Sequence, residues 1–136
     1  MAQNKIEEVE GIGPVYGEKL RAAGVTTTDQ LLAAGKTKDN RAALAQKTGI
    51  GEAQILKWVN MVDLFRIKGV ASEFAELLEA AGVDTVKELK HRVAANLAQK
   101  IAEVNQTRKL TRRVPTESVI AGWIEQAKKL PAAVEY

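Results

Sequence analysis

The sequence contains no cysteine. That excludes a disulfide framework and any thiolate-ligated metal site. It has a single histidine, His91, set between Lys90 and Arg92. Such a solvated charged setting suits neither a general base nor a metal ligand. Ser72 and Ser118 are the only serines, and neither stands in a nucleophile motif. The carboxylates are scattered along the chain without the clustering that a metal site needs. Aromatic residues make up only 4%, and no apolar/polar alternation is long enough for a strand. No apolar run reaches the roughly 18 residues of a membrane span. The opening MAQNKIEEVE lacks the apolar centre of a secretory signal. These absences predict a cytoplasmic, non-enzymatic protein with no catalytic residues, metal, cofactor, membrane contact or small-molecule substrate. The sequon at Asn105-Gln106-Thr107 then has no glycosylation role.

What is present points to helices. The chain has 136 residues, 46% hydrophobic and 27% charged, enough for one packed domain or two small ones. Alanine is the commonest residue, which favours helix over strand. The net charge is +3, but its placement matters more than its size. The segment 105–115, NQTRKLTRRVP, carries Arg108, Lys109, Arg112 and Arg113 and no acid. These four cations exceed the charge of the whole chain, so the remainder sums to −1. One segment is basic, not the whole protein.

The chain also repeats itself. Gly11-Ile12-Gly13, Ala23-Gly24-Val25 and Leu31 recur as Gly69-Val70-Ala71, Ala81-Gly82-Val83 and Leu89, at a constant offset of 58 residues. Tyr16 maps onto Phe74, and Leu20 onto Leu78. Thr27 with Gln30, and Thr85 with Glu88, each spell a capping box that starts a helix. Leu44-Ala45-Gln46-Lys47 returns as Leu97-Ala98-Gln99-Lys100, and Ile55, Trp58 and Val59 as Ile120, Trp123 and Ile124. The second copy gains a stretch that contains most of the basic segment, which is expected as a solvated loop over 105–115. The repeat spans about 3–64 and 65–130 and divides the chain into units 1–64 and 65–136, the second ending in a helix that opens at Pro115-Thr116. In the first unit the pattern predicts helices over 4–9, 14–23, 28–34, 39–48 and 52–64. The tail after Pro131 is expected to fray.

The turns invite an anion. In Glu10-Gly11-Ile12-Gly13-Pro14 one helix ends and another begins within a few residues. Gly11 is able to take a positive φ, Ile12 should plug downward, and Gly13 leaves room for a ligand to approach. The amides beyond it are the unpaired donors of a helix N-terminus. Lys47-Thr48-Gly49-Ile50-Gly51-Glu52 repeats the arrangement. Acids oppose this reading at the first turn, where Glu7, Glu8, Glu10 and Glu18 cluster, and Glu52 stands at the second. A turn that only needs its glycines for backbone reasons is the competing interpretation. Tyr16, Phe74, Trp58 and Trp123 read as packing residues in preference to base-stacking ones. Ala34-Gly35-Lys36-Thr37 mimics the end of a phosphate-binding loop but has Gln30 where the first glycine belongs.

Val9-x-Gly11-Ile12-Gly13-Pro14-x-x-Gly17-x-x-Leu20, with Gly49-Ile50-Gly51 and its apolar helix, resembles the helix-hairpin-helix family in its doubled form. Gly69-Val70-Ala71 and Arg113-Val114-Pro115-Thr116 resemble the same turns in degenerate form. The whole chain is similar to a bacterial family of tandem hairpin proteins of undefined function. The resemblance implies an all-α fold of two tandem units and sequence-independent DNA binding, with turn amides and nearby cations holding phosphates. Gly11, Gly13, Gly49 and Gly51 carry over from the motif. Lys47, Arg108, Lys109, Arg112 and Arg113 are the cations expected to supply charge. Nucleic acid, bound weakly and without sequence preference, is thus the expected partner. The alternative is a protein-interaction or scaffold module that keeps the hairpin shape without binding nucleic acid.

Overall fold

A computed structural model describes residues 5–135. Among them the chain is all-α, with eight α-helices, one short 3-10 helix and no strand. A single isolated antiparallel bridge joins Lys5 and Thr27. The chain divides into two compact units, Met1–Asp63 with Ala133–Tyr136, and Leu64–Ala132.

The first unit opens with the 3-10 helix Ile6–Glu8. There follow α1 (Pro14–Ala22), α2 (Thr28–Ala34), α3 (Lys38–Thr48) and α4 (Glu52–Leu64). Pro14 takes the first helical position of α1, where its missing N–H costs nothing. Thr27 caps α2 with a reciprocal box to Gln30. Thr37 caps α3 by accepting from the Asn40 amide at 3.1 Å. Helix α1 packs on α3 and on the 3-10 helix, and α2 packs on α3. Ile6, Leu20, Leu31, Ile55 and Trp58 are wholly buried, each such side chain stabilising the fold by roughly 1.5–3 kcal/mol.

The helix expected over 4–9 is one 3-10 turn instead. Residue 4 lies outside the described residues. The Ile6 amide is drawn to the Thr26 carbonyl, and Lys5 pairs with Thr27, so the approach to the turn is extended. Ile6 and Val9 are both buried, and a 3-10 turn places residues three apart on one face.

The tail after Pro131 is held down as far as Glu135, and Tyr136 lies outside the described residues. Val134 is buried, at 8% exposure, and the Glu135 amide donates to the Lys36 carbonyl at 2.8 Å. The cause is Arg41, 4% exposed. A buried guanidinium must find acceptors. It donates to the carbonyls of Gly35 (2.9 Å), Lys36 (3.1 Å) and Glu135 (2.8 Å). One side chain thereby closes the end of α2 and straps the tail down.

The second unit holds α5 (Ser72–Ala80), α6 (Val86–Leu89), α7 (Ala94–Arg108) and α8 (Glu117–Lys128). Helix α7 packs on α5 and α8, and α6 packs on α8. Leu78, Leu89, Leu97, Ile101 and Ile120 are buried. Thr85 accepts from the Glu88 amide, and Thr116 accepts from Val119 at 3.2 Å. Both act as the N-caps their sequence positions predict. No helix among the described residues is long and apolar enough to cross a membrane.

Candidate nucleic-acid interface

At the first turn Gly11 has φ +93°, a conformation that strongly favours glycine. A Cβ there would also lie 3.3 Å from Nε1 of Trp58. Ile12 plugs downward and is 3% exposed. Gly13 is the N-cap of α1 and makes no side-chain cap, so the Val15 and Tyr16 amides keep the unpaired status of a first helical turn. Gly13 has an ordinary extended backbone, φ −90° and ψ −170°, and a Cβ on it would meet nothing within 4 Å. The space above it is open.

The flanking acid is partly structural. Glu7 pairs with Arg21 and lies so close to α1 that a Cβ on Gly17 would come within 2.7 Å of its Oε2. Glu8, Glu10 and Glu18 remain exposed. Lys19 sits over the Tyr16 ring at 6.0 Å, and that ring meets Trp58 edge-on at 5.2 Å. The indole nitrogen of Trp58 lies beneath Gly11 and has no hydrogen-bond partner among the described residues.

At the second turn Gly49 closes α3 in the left-handed region, φ +74°. The Thr48 hydroxyl donates to the Leu44 carbonyl at 2.7 Å and accepts from the Ile50 amide at 3.2 Å. Gly51, like Gly13, has open space where a Cβ would go. Lys47 is exposed in the last turn of α3, where a cation complements the helix dipole. Glu52 occupies the first turn of α4, where it takes the position an incoming anion would favour.

In the second unit Gly69 has φ +96°, and a Cβ on it would lie 3.2 Å from Nε1 of Trp123. Val70 is buried at 5%. Ala71 stands as the N-cap of α5 with φ −110° and ψ −168°. Losing the second glycine has left the backbone of this turn unaltered, because that position is extended and tolerates any side chain.

The basic segment differs from the expected loop over 105–115. Helix α7 runs through Arg108, and Lys109 ends it in the left-handed region at φ 50°. The turn beyond is pinned by Asn105. Its Nδ2 donates to the Thr111 carbonyl and its Oδ1 accepts from the Thr111 amide, both at 3.0 Å. The Thr111 hydroxyl donates to the Arg113 carbonyl at 2.8 Å. The cations are therefore presented by an ordered turn. Arg108, Lys109, Arg112 and Arg113 are all exposed, and no ion pair engages them among the described residues. Lys109, Leu110, Thr111, Arg112 and Arg113 line an open cleft of about 750 Å³ together with Glu73 and Phe74 of α5.

The structure thus brings Lys109, Arg112 and Arg113 together and leaves Arg108 on the helix end beside them. Gly11, Gly13, Lys47, Gly49 and Gly51 all belong to the first unit. The N-terminus of α8, a few residues beyond Arg113, is already capped by Thr116 and carries Glu117 in its first turn. Sequence reasoning missed Phe74 and Glu73 as cleft residues and Asn105 as the pin. The repeat marked Phe74 as the partner of Tyr16, and only the fold reveals that it faces a basic turn.

These observations define a class: a two-unit helical protein with one ordered cationic cleft and two open glycine turns. The chain belongs to the family described as a domain of unknown function, DUF4332, whose model matches residues 10–130. No curated protein and no solved structure matches it.

Proposed function

We propose that this chain is a non-enzymatic nucleic-acid-binding protein of tandem helix-hairpin-helix units, and that it binds through phosphates without sequence preference. The observation that carries the proposal is the cluster Arg108, Lys109, Arg112 and Arg113. It is exposed, unpaired with any acid among the described residues, and carried by the end of α7 and the turn that Asn105 orders. A cation already held in place loses less entropy on meeting a phosphate. The open space at Gly13 and Gly51 supports a lesser contribution from the hairpin amides.

Affinity of this kind comes from counterion release. Four neutralised phosphates give a slope of log K against log salt of about −3 on a single strand and about −3.6 on a duplex. Fluorescence anisotropy of a labelled mixed-sequence oligonucleotide at two or more salt concentrations measures it. Dissociation constants of about 10⁻⁴–10⁻⁶ M at physiological salt are expected. Absence of binding at low salt rules the proposal out. The exposed acids Glu8, Glu10 and Glu18 of the first unit then favour the second reading, a scaffold that meets a protein partner. Light scattering of mixtures with candidate partners tests that reading.

A further inference from the structure

The cleft beside the basic turn is more than a patch of charge. Phe74 is half-buried. It rests on Trp123, ring centroids 5.4 Å apart, and it also lines the cleft. Leu110 extends the apolar surface from the turn. Glu73, in the first turn of α5, makes that side of the cleft acidic. A phosphate is therefore favoured on the turn side, with Arg112 and Arg113, and disfavoured against α5. A flat, neutral ring with N–H donors fits the α5 side, where it meets an aromatic face and a carboxylate acceptor. The cleft volume lies within the roughly 300–1,000 Å³ of small-ligand sites.

We propose that the cleft takes one unpaired nucleotide of a single strand, its base stacked on Phe74 and its flanking phosphates held by Arg112 and Arg113. The inference rests on the nucleic-acid reading above and adds to it a preference for single strands over duplex. In a duplex every base face is already stacked, so Phe74 gains nothing there. Aromatic stacking tolerates any base, so the site adds affinity without sequence preference. Asn105 acts as a positioning residue. It fixes Thr111, and with it the arginines, opposite Phe74.

The test uses three labelled 12-nucleotide probes at low salt: a mixed-sequence single strand, an abasic strand with the same phosphates, and a duplex. The parent protein should bind the base-bearing strand about tenfold or more tighter than the abasic strand, the scale of one stacked base, and tighter than the duplex. Phe74→Leu should erase the gap between base-bearing and abasic strands. Phe74→Tyr should keep the gap. Equal binding of the two strands by the parent, or tighter binding of the duplex, overturns the single-strand proposal while leaving phosphate binding in place. Failure to bind any probe removes both. The strand comparison is made on the parent, so it decides the matter even if Phe74→Leu does not fold.

Discussion

In the first unit the chain turns at Gly11, with φ +93° above Trp58, and in the second at Gly69, with φ +96° above Trp123. Each turn buries the residue that follows it, Ile12 or Val70. Each indole meets an aromatic of the helix that follows the turn, Tyr16 of α1 or Phe74 of α5. The backbone is alike in both places and the surroundings are not. Tyr16 is exposed, with Lys19 above its ring. Phe74 looks onto a cleft walled by an ordered basic turn. The first site is flanked by acid, the second by unpaired cations. What the comparison teaches is that the turn is structural equipment common to both, whereas the unpaired cations stand only at the end of α7, which has 15 residues against 11 for α3.

If the turns are structural equipment, breaking either should do similar harm. Gly11→Val and Gly69→Val each force a β-branched residue into the left-handed region, at a cost of roughly 1–3 kcal/mol. Contact with the indole nitrogen adds to it. Thermal unfolding should show comparable losses for the two variants. An unchanged melting temperature for one of them would mean that its turn relaxes and the likeness is only apparent.

Binding should separate the sites that stability does not. Arg112→Ala with Arg113→Ala removes two of the proposed phosphate contacts and should flatten the salt slope by about 1.5–2. The affinity at low salt should fall roughly tenfold or more. Lys47→Ala should cost less, and Lys19→Ala, its ammonium already over Tyr16, should barely register. A larger loss from Lys19→Ala than from the arginine pair would move the site to the first turn.

A third variant tests whether the first unit depends on the chain's end. Deleting residues 133–136 strips Arg41 of the Glu135 acceptor and removes the buried Val134. Leaving a buried charged donor short of a partner costs about 1–3 kcal/mol. Urea unfolding should show that loss, and a truncated chain as stable as the parent would mean that water replaces the carbonyl freely.

Much of the fold was legible because its signals are local. The caps at Thr27, Thr85 and Thr116, Pro14 at a helix start, and the apolar spacing of α4 and α8 each act within a few residues. The misses came from distant pairings. Ile6 is extended at its start because Thr26 takes its amide, and the tail is ordered because Arg41, almost a hundred residues earlier, needs an acceptor. The candidate site was half legible. Charge runs are visible in a sequence, so the arginines stood out. Asn105 looked like a sequon because nothing local shows that its side chain will close onto Thr111. Phe74 looked like core because a ring that packs on one neighbour and lines a cleft has the same spacing as one wholly buried.

The smallest expected effect is also the one that weighs Gly13 most directly. Ala71 holds the equivalent position in the second unit with almost the same φ and ψ as Gly13, and a Cβ on Gly13 meets nothing within 4 Å. The fold therefore has no use for a glycine at this position. Gly13→Ala should leave stability unchanged or raise it by about 0.4–1 kcal/mol, through loss of freedom in the unfolded chain. If hairpin amides hold a phosphate, the added methyl crowds the approach, and affinity should fall about two- to threefold, a fraction of a kcal/mol. If binding belongs to the cleft of the second unit alone, affinity should not change at all. A variant that is more stable and weaker in binding gives the first turn a share in the interface. One that is more stable and equal in binding assigns the whole contact to the basic turn. A variant that is less stable contradicts the extended backbone at Gly13, and with it the comparison between the two turns.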